Sequence, residues 1–237
     1  MLYKGIDLTE YFKILDIRRD ILPPIKLTML DIPGKDGNLY VKSKFNPRTI
    51  EVDIEVKGKD KEDLRQKISK LATKLYDGKL GILRFKDEID KYFEAILTDT
   101  TSLNEIYVYG QTTLTFICPD PYKKGEEVKI EIDSDSKFYN RGIANAIGVL
   151  ELEVLTDTDE IVITNVTTGE YIKLSGNYVQ GDKIIIDLEK QYVERNGYND
   201  MKNVTIDSDF IRIIPGKNQL TLSSNVKGTL TYIERWL

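Results

Sequence analysis

The sequence predicts a mainly β protein built from two β-rich domains, with a single helix in the first. Three observations carry this. Strand-length stretches of alternating apolar and polar residues recur along the whole chain, whereas only one stretch has helical period. At mid-chain, T-T-L-T-F-I-C-P-D-P-Y (112–122) starts as a strand and then meets Pro119 and Pro121. Two prolines two apart remove ladder donors and hold the preceding residues extended, so a sheet ends here. Before that break lie strands plus one helix, and after it lie only strands. The break defines domains at 1–123 and 124–237, joined through Pro119, Asp120, Pro121 and Tyr122.

In the first domain Ile50, Val52, Ile54 and Val56 alternate with Glu51, Asp53 and Glu55, the pattern of a strand with one buried face. A helix follows. Asp60 is placed to cap it, Glu62 and Asp63 suit the positive end of its dipole, and Leu64, Ile68, Leu71 and Leu75 form one apolar stripe. Gly78 supplies the left-handed stop, and Lys61, Arg65, Lys67, Lys70 and Lys74 face solvent. Three strands come next: G-I-L-R-F, K-Y-F-E-A-I-L-T and I-Y-V-Y-G-Q-T-T-L-T-F-I, the last two antiparallel neighbours. The domain is a sheet or small sandwich with one covering helix.

Between Met29 and Thr49 the chain is rich in turn formers and charges, with Pro33-Gly34 and Asp36-Gly37 marking tight turns. It also carries Leu39, Tyr40, Val41 and Phe45. Long loops inside compact domains are usually functional or disordered, and these apolar residues argue against disorder. The reading adopted is an arm or hairpin that docks on another chain, involving Asp31, Pro33, Gly34, Lys35, Asp36, Gly37, Leu39, Tyr40 and Phe45. The other reading is a surface loop folded back on its own domain.

The second domain punctuates short strands with turns. Alternation marks Val128–Ile132 and Leu150–Val154; further strands fall at 161–163, 171–174, 183–188, 191–195, 210–214, 220–222 and 230–233. Turns are expected at Thr168-Gly169, Ser175-Gly176-Asn177, Asn196-Gly197 and Pro215-Gly216; Asn-Gly is the strongest hairpin signal among them. This is the pattern of a β-sandwich.

Composition narrows the function. With 41% hydrophobic and 31% charged residues the chain reads as globular, without a membrane-length apolar run or an N-terminal secretory pattern, so cytoplasmic synthesis is expected. The absence of histidine excludes Ser-His-Asp and Cys-His nucleophiles and His-ligated zinc. One cysteine, Cys118, excludes an internal disulfide and a thiolate cluster, and its place at the end of an apolar strand predicts a buried structural thiol. The first domain is near neutral (21 Lys/Arg, 20 Asp/Glu) and the second is acidic (13 against 19). Neither has the basic stripe of a nucleic-acid binder.

In their order along the chain, these residues resemble the distal tail protein family of phages with long non-contractile tails and of related prophage or tail-like particles. The resemblance rests on G-I-D at 5–7, P-G-K-D-G at 33–37, the strand–helix passage from Arg48 to Gly78, and T-F-I-C-P-D-P-Y. In the second half it rests on N-R-G at Asn140–Gly142, I-T-N-V-T-T-G-E at 163–170, Asn196-Gly197, P-G-K-N at 215–218 and the W-L at 236–237. It implies a tail-tube-like N-terminal sandwich with a flanking helix and a galectin-like C-terminal sandwich. It also implies a structural, non-enzymatic hub at the virion tail tip, assembled in the bacterial cytoplasm without cofactor or metal. Such a hub is a homohexameric ring joining the tail tube to a tail-associated hub or fibre protein, with the tape measure protein as a further neighbour. There is little room at this length for an inserted carbohydrate-binding module.

Two rival functions are weighed beside it. A glycan-binding module would use aromatic platforms such as Tyr171, Tyr178, Tyr192 and Tyr198, although tyrosines also serve as half-buried strand residues. Trp236 is expected to anchor the chain end in the core. An enzyme without histidine would need paired carboxylates, but the acidic residues sit at solvent-facing strand positions or in turns. The Asp-rich turns at 133–136, 157–160 and 207–209 lack the twelve-residue calcium loop, and turn chemistry accounts for them.

Overall fold

A computed structural model of the chain describes residues 1–75, 78–100 and 102–237. The chain divides into two compact units, Met1–Lys123 and Lys124–Trp236, each around its own apolar cluster. The protein is mainly β, and among the described residues no helix is long and apolar enough to cross a membrane.

Unit 1 contains β1 (Leu2–Tyr3), β2 (Ile6–Asp7), β3 (Lys13–Arg19), β4 (Ile25–Asp31), β5 (Asn38–Phe45), β6 (Arg48–Lys57), α1 (Lys61–Leu75), β7 (Gly81–Arg84), β8 (Phe93–Thr100), β9 (Asn104–Ile106) and β10 (Tyr109–Cys118). Eight strands form one sheet: seven follow the hydrogen-bonded path β2-β1-β7-β8-β10-β6-β3, and β9 adds against the start of β10. The hinge of this path is β8: Phe93–Ala95 pair with β7, and Ile96–Thr100 pair with β10. Its spine is the antiparallel pair β6 and β10, in register from Arg48 opposite Cys118 to Lys57 opposite Tyr109.

The alternation read from sequence is realised on that spine. Ile50, Val52, Ile54 and Val56 are buried with Leu114, Phe116 and Cys118, while Glu51, Asp53 and Glu55 take the other face. There Arg18 on β3 bonds Glu51 at 2.9 Å and also grips Asp53. Burial pushes the Cys118 thiol up to about 12, against the pull of nearby Arg48, so it is protonated at neutral pH.

The helix forms where its cap and stripe predict. The Asp63 N–H donates to Asp60 Oδ1 at 2.8 Å, and Asp63 Oδ2 accepts from the Lys59 N–H at 2.8 Å. Leu64, Leu71 and Leu75 are buried and Ile68 partly so, each burial contributing about 1.5–3 kcal/mol. Gly78 has φ +61°, the left-handed conformation expected of it beyond the helix.

Unit 2 holds β11 (Lys123–Ile132), β12 (Ser136–Asn140), β13 (Ala144–Val154), β14 (Thr158–Asn165), β15 (Glu170–Tyr178), β16 (Lys183–Asp187), β17 (Tyr192–Arg195), β18 (Tyr198–Asn199), β19 (Gly216–Leu222) and β20 (Val226–Trp236). They make a six-stranded sheet, β11-β20-β13-β16-β17-β18, and a four-stranded sheet, β12-β19-β14-β15. Leu150, Leu152, Ile184, Ile186 and Leu230 from the first share one buried cluster with Ile161, Ile163, Ile172, Leu174 and Leu220 from the second. That interdigitation is a β-sandwich. Asn196 and Gly197 both have positive φ (51° and 85°) between β17 and β18, the hairpin turn their dipeptide predicts.

Three expectations are corrected here. Phe210–Ile214 is not a strand: it crosses as irregular chain with one isolated bridge, Ala146 to Ile213. Ser175-Gly176-Asn177 is not a turn but part of β15, at a register shift, where Asn203 packs so close to Gly176 that a Cβ would lie 2.9 Å from its Nδ2. Trp236 is half-buried and lies on Gly125, where a Cβ would meet its ring at 2.7 Å, rather than in the central core. The sequence reading missed β12, whose Asp133-rich approach masks it.

Candidate interaction surface

Strands β4 and β5 form a two-stranded sheet of their own, apart from the eight-stranded sheet. They pair from Ile25 opposite Phe45 to Asp31 opposite Asn38, with a bulge beside Thr28 that leaves Val41 unopposed. Residues 32–37 close the hairpin through Gly34 and Gly37, both at positive φ (80° and 76°), and the Lys35 N–H donates to the Ile32 carbonyl at 3.1 Å. The arm therefore begins at Ile25, six residues before the expected Asp31.

Alternation sorts the arm's two faces. Near the base, one face holds Ile25, Leu27 and Phe45 and the other holds Lys26, Thr28, Lys42 and Lys44. Beyond the bulge, Met29 pairs with Tyr40 and Leu30 with Leu39, so apolar side chains stand on both faces. All of these except Phe45 are exposed. A hairpin alone is marginal in water, and a contiguous exposed apolar surface marks an interaction site. Of the residues singled out from sequence, Asp31, Pro33, Gly34, Lys35, Asp36, Gly37, Leu39 and Tyr40 lie on this arm or its turn. Phe45 instead serves its base, stacked edge-on against Tyr122 at 6.0 Å.

The base is fastened by a residue that sequence reasoning passed over. Arg48, only 2% exposed, donates from Nη1 to the Asp20 carbonyl at 2.7 Å and from Nε to the Pro121 carbonyl at 3.1 Å. One buried guanidinium thus ties the segment entering the arm to the Pro119–Tyr122 segment, where Asp120 Oδ1 accepts from the Tyr122 N–H at 3.2 Å. The only sequence signal was a cation at the first position of an otherwise apolar-in strand.

Of the tyrosines of the glycan reading, Tyr198 is exposed, Tyr192 is half-buried, and the other two are engaged within their own unit. Tyr178 is buried and its hydroxyl donates to Asp200 at 2.8 Å; Tyr171 donates to Asp207 at 2.7 Å. The acidic turns are occupied locally: Asp133 accepts from Asp135 and Ser136, and Asp157 from the Gln180 N–H. Among the described residues no group of three or more acidic or cysteine side chains is gathered as a metal site.

The motif asparagines of unit 2 share one task. Asn140, Asn165 and Asn218 are all buried and bind consecutive residues of the strandless crossing at 210–214. Asn165 Nδ2 donates to the Arg212 carbonyl at 2.7 Å and Asn140 Nδ2 to the Ile213 carbonyl at 3.3 Å. Asn218 accepts from the Ile214 N–H at 3.1 Å and donates to its carbonyl at 2.8 Å. N-R-G, I-T-N-V-T-T-G-E and P-G-K-N are thus structural signatures.

Comparisons with known proteins agree with this geometry. Residues 6–118 match the model of the phage tail protein RIFT-related domain, and residues 141–236 that of the siphovirus-type tail component, C-terminal domain. The distal tail protein of Bacillus phage SPP1 is 28% identical over 242 residues, spanning all of this chain and 95% of that protein. The chain belongs to the distal tail protein family. The crystal structure of the SPP1 protein, described as a paradigm of the hub adsorption apparatus of phages infecting Gram-positive bacteria, has the same fold, with TM-score 0.84, 23% identity and coverage of 100% and 98%. A chain of the phage P2 baseplate in its activated conformation with Ca aligns with TM-score 0.50, 14% identity and coverage of 97% and 92%. The chain is a structural phage tail protein of the distal tail or hub type.

Proposed function

We propose that six copies of this chain close into a ring at the virion tail tip, joining the tail tube to the host-recognition assembly. Unit 1 is the ring-forming domain and unit 2 the outward-facing sandwich. The partners are the tube protein on one side and a tail-associated hub or fibre protein on the other, with the tape measure protein adjoining. Its work is geometric and non-enzymatic. The observation that carries this reading is the arm: a 21-residue hairpin outside its own core, apolar towards its tip, and anchored at its base by Arg48. Such a segment is stabilised when another chain covers it, and a head-to-tail ring supplies that chain.

Native mass spectrometry across concentration tests the ring; six copies of 27.2 kDa give a species of about 163 kDa. Deleting residues 34–44 is expected to abolish that species while both units keep their melting transitions. A deleted chain that still forms the ring would remove the arm from the interface.

A further inference from the structure

Unit 1 holds a second exposed apolar feature, at the end of the sheet opposite the arm. Between β9 and β10 the chain turns at Tyr107, whose φ is +56°. Left-handed backbone is uncommon outside glycine, and for a bulky side chain it is a genuine outlier. Asparagine or glycine would adopt it with less strain. Yet Tyr107 is 77% exposed and Ile106 beside it 71%, so both side chains stand mostly in solvent. The turn is nonetheless held firmly: Val108 is buried, and its carbonyl accepts from the Gly58 N–H at 2.9 Å. A strained, anchored turn that displays apolar side chains is explained by what those side chains meet elsewhere.

Across the same end of the sheet lies a matching groove of about 560 Å³. Tyr11, Phe12 and Ile14 give it an apolar floor, and Lys13, Lys57 and Lys70 reach its rim. Strand register fixes where knob and groove stand. Asn104 is opposite Gln111, Gln111 opposite Glu55, and Glu55 opposite Lys13. That row runs from β9 to β3 across three strand spacings, about 14 Å, and Ile106 lies two residues from it, opposite Tyr109 and, across β10, Lys57 of the groove. Charge agrees: residues 99–107 contain Asp99 and Glu105 and no Lys or Arg, whereas the groove holds four lysines (with Lys67) against Glu10 and Glu55. Glu105 pairs with Arg65 at 3.0 Å, a solvent-exposed contact of the kind that contributes little and exchanges readily.

We propose that Ile106 and Tyr107 of one copy seat in the Tyr11–Ile14 groove of the next copy, as a second contact of the ring. This rests on the ring reading above. A knob and a socket on different parts of one unit make a head-to-tail contact, the kind that generates a ring when its rotation closes. The lysine rim meets the acidic approach of the knob and the face of the tyrosine ring.

The test uses the full chain and pairs two readouts, thermal melting and native mass spectrometry over a concentration series. Tyr107→Asn relieves the backbone strain, so unit 1 is expected to melt a few degrees higher while the concentration needed for the ring rises at least tenfold. The double variant Lys13→Glu, Lys70→Glu is expected to weaken the ring similarly with an unchanged melt; it decides the matter if Tyr107→Asn folds poorly. A wild-type ring that both variants retain at unchanged concentration overturns this contact and leaves the arm reading standing. A wild-type chain that stays monomeric at the highest concentration overturns the ring, and this contact with it.

Discussion

The arm at 25–45 and the crossing at 206–215 are both long excursions between sheet strands, and both mix apolar residues with turn formers. They have opposite fates. The crossing puts Ile211 and Ile213 into the unit 2 core, and its backbone is bound residue by residue to Asn165, Asn140 and Asn218. The arm satisfies its backbone by pairing with itself and keeps Leu27, Met29, Leu30, Leu39 and Val41 in solvent. What separates them is where the partners come from. A segment whose backbone is bound by buried side chains belongs to its own fold, whereas a self-paired segment with uncovered apolar groups is finished by another molecule.

The sharpest way to break this contrast is to unfasten the crossing. Asn218→Ala removes a side chain that serves the Ile214 N–H and carbonyl and the Gly216 carbonyl, leaving buried polar groups without partners. Such groups cost about 1–3 kcal/mol each when unsatisfied. A loss of about 3 kcal/mol in unit 2 is expected, read as a lower urea midpoint, with the unit 1 transition unmoved. If the midpoint falls by less than a few tenths of a kcal/mol, the asparagines are not what holds the crossing.

A smaller effect sharpens the same point through pH. Glu170 lies beside the crossing, and although burial opposes its ionisation, the Arg212 N–H, the Thr168 hydroxyl and the Arg212 guanidinium together hold its carboxyl below the ordinary 4.5. Its folded value lies below its unfolded one, so its contribution is fully present above about pH 4.5 and is lost as pH falls through the folded value. Glu170→Gln should therefore lower unit 2 stability at pH 7, with the gap to wild type closing below pH 4.5. A gap that stays constant down to pH 3 would show that the charge does not matter.

How much of this was legible in the sequence follows from the same distinction. Where backbone pairs with backbone and side chains alternate, as at Ile50–Val56, or where a stripe and cap agree, as at Asp60–Leu75, local pattern suffices. The crossing defeated it because Phe210, Arg212 and Ile214 alternate with Ile211 and Ile213 as a strand would, while the ladder that a strand needs is replaced by asparagines 4, 47 and 73 residues away. Those asparagines were visible only as motifs, and nothing local says which carbonyl they bind. The arm was legible in kind from Pro33-Gly34, Asp36-Gly37 and Leu39–Val41, but its first strand was not read, although Ile25, Leu27 and Met29 alternate with Lys26 and Thr28 as a strand does. Tyr107 carries no local signal and Arg48 only its place as a cation at the start of an apolar-in strand, since burial and positive φ are properties of the assembled sheet.

The smallest stability effect belongs to the arm, and there the comparison is most informative. Leu27 stands on the apolar face of the arm's base, half exposed, paired with Ser43 and outside the buried cluster of unit 1. Leu27→Ser removes apolar surface that its own fold does not use, so the melting transition of unit 1 should shift by no more than about 0.5 kcal/mol. Truncation of an apolar anchor in an interface costs about 2 kcal/mol or more, which is at least tenfold in association. One substitution should therefore leave folding alone and disable assembly, the inverse of Asn218→Ala. If Leu27→Ser instead lowers the unit 1 transition by more than 1 kcal/mol with ring formation unchanged, the arm is part of its own domain's core and the contrast between the two excursions fails.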